Sequence, residues 1–472
     1  MGELHRGGLR AARLAEIVAA KVVAAALALT VSLLPAQSGE PKPAGAAAEV
    51  APGLRDQLVV ALQEFFADPD ASGSLLGAVK KLARGREALL VDVLRSKAFV
   101  SLSQDAIGRR GRLVAGRFVD SDDLEAANPA LLFGPATDVP AAADGSSLLP
   151  LVVYVPDALD SKPYVHELRR EAWEQRRFVL LVPDPRRDNL WKPGPDEILR
   201  HTGAIRELLL QYPIDPNRLY FVGSGRGGHA AWDVGLMRSG LWAGIYPCNG
   251  GLIHEGGFAV TGGVFVENAK DLSVFTVYNT KFDHGIESCR YAAKLLEKWG
   301  CRFERVEESR LRLMGLAEAM TKLDIVTRRA HPRTVTKRFN RIADGAHYWL
   351  EAKKRKPREW NPKSRIEIRG KWPSDPVKQR QVVWREVQRQ CARLHGVIAG
   401  NAIRIETQGI GRLRVWLDPE LIDFDRKVAI TCNGKKQRKH QPKRRIDVML
   451  SRLHATGDTA RLYWDYVDFT VR

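Results

Sequence analysis

Residues 215–229 read Asp-Pro-Asn-Arg-Leu-Tyr-Phe-Val-Gly-Ser-Gly-Arg-Gly-Gly-His. An apolar run followed at once by closely spaced glycines fits a short buried strand, a sharp turn and a helix. In the pattern G-x-S-x-G a serine stands at the tip of such a turn. Its hydroxyl can attack an acyl carbon there, once a histidine held by a carboxylate takes the proton. Leu219 to Val222 supply the strand, Gly223 opens the turn, and Gly227 and Gly228 let the helix pack close. The tip itself is Gly225. Ser224 comes one residue early, and using it would put Val222 and Arg226 where the turn needs small residues. The spacing therefore predicts an elbow (Gly223, Ser224, Gly225, Arg226, Gly227, Gly228) that carries no nucleophile.

Such an elbow needs a parallel sheet to hold it. From Leu149 onward continuous apolar runs alternate with helical stretches: strands at 151–155, 178–182, 219–222 and 274–278, and helices at 164–177, 196–212, 227–236 and 287–299. Strands without polar alternation are covered on both faces, which predicts a doubly wound, mostly parallel sheet and an α/β fold over 149–330. Residues 54–98 carry leucine and phenylalanine at helical spacing, so 53–148 is expected to be a helical N-terminal region. Beyond about 331 the pattern shifts to short strands, among them 348–351, 382–384, 403–405, 413–417 and 428–431, with a turn at Asn433-Gly434. One helix, 446–454, precedes a last strand at 460–466. This predicts a small β-rich domain over 331–472.

The chain has 472 residues, too many for one core, and 74 basic against 55 acidic side chains give it a formal charge of +19. That excess favours anionic partners. Arg6, Arg10, Arg13 and Lys21 precede an apolar run, Val22 to Ala36, and Ala36-Gln37-Ser38 is a small-x-small cleavage site. Residues 1–38 thus read as an export signal, with an uncleaved membrane anchor as the alternative, and 39–52 as a Pro/Ala linker. Five cysteines without C-x-x-C spacing offer neither a disulfide framework nor a metal site.

The stretch 149–300 resembles secreted α/β-hydrolases of the prolyl-oligopeptidase and feruloyl-esterase type. The resemblance rests on Asp215-Pro-Asn-Arg218, Gly223, Gly227-Gly-His229 and Asn249-Gly-Gly251. The phrases 400–406, 417–423 and Asn433-Gly-Lys435 are similar to the β-domain that follows such hydrolases in planctomycete-type secreted proteins. The resemblance implies an α/β-hydrolase fold and assigns Asp283 to the acid position, after the strand 274–278. It offers His347, in Asp344-Gly-Ala-His347, as the base, with His331 as a lesser alternative. His347 lies 64 residues past Asp283 and runs directly into a strand pattern, both of which count against it. Where backbone N–H groups should form an oxyanion hole the chain reads Pro156-Asp-Ala-Leu159, and proline donates no N–H. The resemblance thus points to a serine hydrolase whose site has degenerated.

Gly223-Ser-Gly-Arg-Gly-Gly228 fails both the Walker and the dinucleotide patterns, so no nucleotide or other cofactor is expected, and no metal. Two basic runs remain, 353–371 with Trp360 and Trp372 interleaved, and 435–445. The second offers Lys435, Lys436, Arg438, Lys439, Lys443, Arg444 and Arg445 as a polyanion-binding set. In an exported protein such a surface would meet an anionic polymer or envelope surface. No dedicated nucleic-acid motif accompanies the runs, so nucleic acid is the weaker partner. The leading expectation is an exported, catalytically degenerate homologue that works by binding. The alternatives are an active esterase or peptidase with a rearranged nucleophile, and a basic nucleic-acid-binding protein.

Overall fold

Leu149–Val155 and Val179–Val182 hold no charged residue, and every residue in them is buried. A strand with no solvent face must lie inside a sheet covered on both sides. The computed structural model, which describes residues 53–68, 73–100, 110–114, 117–120, 129–133, 148–155, 178–183, 202–252, 264–280, 283–308, 316–323, 325–356 and 367–472, places them so. The strands are β1 (Arg110–Val114), β2 (Arg117–Asp120), β3 (Pro129–Phe133), β4 (Leu149–Val155), β5 (Val179–Val182) and β6 (Ile214–Ser224), then β7 (Gly244–Cys248), β8 (Ser273–Asn279) and β9 (Phe303–Glu308). They form one nine-stranded sheet in the order β2-β1-β3-β5-β4-β6-β7-β8-β9. From β5 to β9 all neighbours are parallel, while β1, β2 and β3 pair antiparallel at one end.

Alternate residues of each strand feed opposite layers. Leu151, Val153, Phe221 and Ile245 pack under helix Arg226–Met237 on one face. Val152, Tyr154, Tyr220, Val222 and Tyr246 pack with Met320 and Leu323 of helix Leu316–Leu323 on the other. The expected parallel strands are all present, but 219–222 and 274–278 are not neighbours, because β7 lies between them.

The remaining strands are β10 (Thr334–Phe339), β11 (Ala346–His347), β12 (Leu350–Arg355), β13 (Ala392–Ala399), β14 (Ala402–Gln408), β15 (Ile410–Leu417), β16 (Ala429–Cys432), β17 (Lys435–Lys436) and β18 (Asp465–Thr470). They make a five-stranded sheet, β10-β13-β14-β16-β17, and a four-stranded one, β11-β12-β15-β18. Both contribute to one core around Trp349, Leu394, Ile405 and Leu413.

Two sequence expectations are corrected here. The region 53–148 is not wholly helical: β1 to β3 extend the main sheet, each too short to announce itself without a partner strand. Its helices, Leu54–Ala67, Gly73–Ala83 and Glu87–Arg95, put Leu58, Leu62, Phe65, Leu90 and Leu94 into the core of the C-terminal sheets. Residues 382–384 lie in helix Pro376–Gln390, where Trp384 and Val387, with Cys391 just past its end, share a stripe packed on the core under the main sheet.

Candidate functional site

β6 ends at Ser224 and helix Arg226–Met237 begins two residues later, so one residue makes the whole turn. That residue is Gly225, at φ 53° and ψ −112°. A side chain at positive φ with that ψ lies outside the left-handed well, and the strain is of the kind held at functional turns. The N–H of Gly225 donates to the Cys248 carbonyl at 2.9 Å, and the N–H of Gly228 donates to the Gly225 carbonyl at 3.0 Å. The turn leaves no room around it. A Cβ on Gly223 would sit 1.9 Å from the Gly227 oxygen, and one on Gly228 would sit 2.5 Å from the Cys248 oxygen. Gly250 meets Gly228 backbone from the other side, where a Cβ would fall 2.2 Å from its carbonyl carbon. The Trp232 indole and the Tyr278 hydroxyl both donate to the Gly250 carbonyl, at 3.0 and 3.3 Å, and hold the following loop in place. His229 is turned from the tip: its Nδ1 lies 2.6 Å from the Gly251 carbonyl. Arg226, the residue after the tip, starts the helix and is half-buried.

Asp215-Pro-Asn-Arg218 anchors the other end of the strand. The Asp215 carboxylate accepts from the Asn217 N–H at 2.8 Å and from Arg218 Nε at 3.0 Å. Asn217 in turn holds the exit segment, accepting from the Arg328 N–H at 2.9 Å and its guanidinium at 3.2 Å. The motif positions the strand and is remote from the tip.

Asp283 is the first residue of helix Asp283–Lys298, which follows β8. Parallel strands end on one edge, so the start of that helix lies on the edge that carries Gly225. His347 is elsewhere. It sits on β11 of the four-stranded sheet, almost wholly buried, with Nε2 3.5 Å from Asp271 Oδ2. Asp271 precedes β8, which places His347 at the N-terminal edge, a strand length from the tip. The seven residues of β8 span roughly 20 Å at about 3.3 Å each. Burial pushes the His347 pKa down to about 4, outweighing Asp271. As a base for the elbow His347 is therefore corrected: the gap counted against it reflects a real change of sheet. His331 is also remote, held by Asp418 at 3.0 Å. The oxyanion segment 156–159 lies outside the described residues.

Of the basic run, Lys435, Lys436, Arg438, Lys439, Lys443 and Arg444 are exposed, with no carboxylate within ion-pair distance among the described residues. Arg444 lies over the Phe424 ring at 5.6 Å. Arg445 departs from the expected set, because its guanidinium is paired with Asp465 and its charge is neutralised. From the other run, residues 357–366 lie outside the described residues, whereas Trp372 is exposed.

No protein-family model matches this chain, and no curated protein matches it. Solved structures do. A thermostable esterase is 21% identical over 43% of this chain and 59% of its own, with a TM-score of 0.33. A thermophilic esterase from the planctomycete Thermogutta terrifontis is 15% identical over 45% and 89%, with a TM-score of 0.31. The acylaminoacyl peptidase of Pyrococcus horikoshii is 13% identical over 43% and 37%, at 0.32. The match thus spans about three fifths of the first esterase. The strand order, with β4 set between β5 and β6 and a tight strand-to-helix turn after β6, decides the fold.

The chain has the α/β-hydrolase fold.

In that fold a nucleophile at the turn after β6 would face groups gathered at the same edge. In this chain the turn offers backbone N–H groups at the start of a helix, and a carboxylate-bearing residue begins the helix after β8. Such an edge can accept a polar group. A covalent acyl step additionally needs a hydroxyl or thiol at position 225, and glycine has neither.

Proposed function

We propose that this protein is an exported α/β-hydrolase homologue that has lost covalent catalysis and acts by binding an anionic polymer or envelope surface. The observation that carries the reading is Gly225. The backbone takes the turn that presents a nucleophile, and the residue there has no side chain. Placement of His347 on a different sheet, at the opposite edge, supports it. The exposed cations of 435–444, without carboxylate partners, supply the binding surface. Export rests on residues 1–38 of the sequence, which lie outside the described residues.

Two measurements test this. A fluorophosphonate probe should leave the purified protein unlabelled, and short acyl esters should not be turned over. Labelling abolished by Ser224→Ala would overturn the reading in favour of an active enzyme with a shifted nucleophile. Heparin should retain the protein, and salt should release it steeply, because each neutralised anionic site adds to the slope of affinity against salt. Reversing Lys435, Lys436, Arg438 and Lys439 to Glu should advance elution well beyond four reversals among the basic residues of 80–95. Equal shifts would mean a diffuse field, and the C-terminal loops would be abandoned as the binding element. Retention of RNA in preference to heparin would point to a nucleic-acid partner instead.

A further inference from the structure

Where the N-terminal edge of the main sheet meets the C-terminal sheets there is a cavity of about 260 Å³. Its walls carry Arg206, Arg238, Lys337, Arg452 and Arg461, against one carboxylate, Asp458. We propose that this cavity is a binding site for a small tetrahedral oxyanion, a phosphate or sulfate group with or without a small organic body. It stands on residues separate from the elbow and from the loops 435–444.

The charge balance comes first. Asp458 is already shared: both terminal guanidinium nitrogens of Arg328 donate to it at 2.9 and 3.0 Å, and Arg461 Nε donates at 2.7 Å. Asp344 likewise serves two arginines, Arg341 at 2.6 Å and Arg238 at 3.4 Å. Arg452 reaches Glu351 only at 3.6 Å, and Arg206 pairs with Glu207. Lys337 has no carboxylate within ion-pair distance among the described residues, and Asp344 acts on it only from farther off. Its ammonium donates to the carbonyls of Met237 at 2.8 Å and Ala346 at 3.1 Å, and its side chain is almost wholly buried. A buried cation satisfied only by dipoles is costly without a counter-charge. Burial accordingly pulls the Lys337 pKa down to about 7, with Arg238 acting the same way.

Unmet hydrogen bonds point in the same direction. Tyr348 Oη, His347 Nδ1, Arg238 Nε and Arg452 Nε are buried without a hydrogen-bond partner among the described residues, while His347 Nε2 faces Asp271. Native interiors pair nearly all such atoms, and an unpaired cluster on one cavity wall calls for a guest. The arginine nitrogens only donate, and Tyr348 and His347 can donate, so the matching guest is rich in acceptors. The wall is also strained. Tyr348 holds φ 50°, an outlier for an aromatic residue, and lies under the Arg461 guanidinium at 5.2 Å. Gly240 admits no larger residue without pressing on His347, since a Cβ there would be 3.0 Å from Nδ1. Access is past Ala455, which is exposed, and Thr456, which is half-buried. The volume lies just under the usual range of small-ligand pockets, which begins at about 300 Å³.

The test is calorimetric titration of the full chain with inorganic phosphate, sulfate and glycerol 1-phosphate, with chloride of equal ionic strength as the control. One site per chain is expected, together with a rise in unfolding temperature that saturates with the anion. Lys337→Met and Arg452→Gln should each weaken binding tenfold or more. Ala455→Phe, at the exposed mouth, should weaken it while leaving the unfolding temperature of the free protein unchanged, which separates blockage from misfolding. Binding of inorganic phosphate and sulfate alike would assign the site to free anions. Binding of glycerol 1-phosphate alone would assign it to phosphate esters. Glutamate reversal at Lys435, Lys436, Arg438 and Lys439 should leave the stoichiometric site intact even where heparin retention is lost. Absence of saturable binding up to about 10 mM, an affinity of roughly 3 kcal/mol or less, would overturn the proposal. So would binding indifferent to all three cavity variants.

Discussion

Gly225 stands where the α/β-hydrolase turn imposes its worst backbone geometry, and a residue without Cβ meets that geometry at no steric cost. Gly225→Ser should therefore lower stability by about 1–3 kcal/mol, the usual cost of holding a side chain in a sparsely populated region. It should not create fluorophosphonate labelling, because His347 is turned to Asp271 and His229 to Gly251. Denaturant midpoints and probe labelling of the one variant read both outcomes. Labelling of Gly225→Ser would place a base at the edge and recast the proposed loss of catalysis as a single substitution. Lys337 allows a prediction in pH. Its folded pKa of about 7 lies below its ordinary 10.5, so between those values the unfolded chain binds more protons than the folded one. Stability must then rise with pH across that window. Measured against Lys337→Met, the wild-type protein should gain denaturation free energy from pH 7 to 9. A flat difference would mean that the carbonyls of Met237 and Ala346 hold the ammonium charged.

At the scale of elements, the four-stranded sheet is tied together by a stack running Arg452, Trp416, Arg414, Tyr466, Arg445. The Arg452 guanidinium lies 4.7 Å from the Trp416 ring, Arg414 lies 5.0 Å from Trp416 and 3.8 Å from Tyr466, and Arg445 lies 5.0 Å from Tyr466. β15 and β18 pair directly, Trp416 opposite Tyr466, so the stack bridges two strands and the helix Ile446–Thr456. Arg414 also donates twice to Asp468, at 2.7 and 2.8 Å. A lysine there keeps the charge but loses the planar fork and the stacking face. Arg414→Lys should cost about 1–2 kcal/mol, read as a lower unfolding temperature. No change would mean that the ring–ring contacts of Trp416, Tyr463 and Tyr466 suffice alone. Between the sheets, Gly396 faces Trp349 so closely that a Cβ would fall 2.5 Å from the ring. Gly396→Ala should destabilise by about 1–3 kcal/mol through overpacking.

For the whole molecule, the N-terminal helices and the C-terminal sheets share a core, although residues 96–333 separate them in sequence. Phe65 is fully buried in that core and meets the His454 ring at 5.6 Å. Phe65→Ala should cost about 3–5 kcal/mol and expose protease sites in the C-terminal sheets, hundreds of residues away. Cleavage confined to 53–100 would show that the two parts fold separately. Arg328 and Asp458 tie the exit of the main-sheet region to the C-terminal part. Burial by itself would raise the Asp458 pKa, but the guanidinium groups of Arg328 and Arg461 outweigh it and hold the carboxyl far below its ordinary value.

Much of this protein is set by local chemistry. Continuous apolar runs mark β4 and β5, glycine spacing marks the turn and its tip, and the charge excess is a matter of composition. Each depends on residues within a few positions of one another, where sterics and periodicity act directly. The helical stripe of Trp384, Val387 and Cys391 was equally local, but its charged surroundings and the neighbouring Val382-Val383 concealed the period. Pairing order, the sheet that receives His347, the Arg445–Asp465 pair and the oxyanion cavity were decided otherwise. Arg328 and Asp458 lie 130 positions apart, and Lys337 meets Met237 across 100. No spacing rule links such residues; they meet because the tertiary fold packs its hydrophobic cores and brings together polar groups that then require partners.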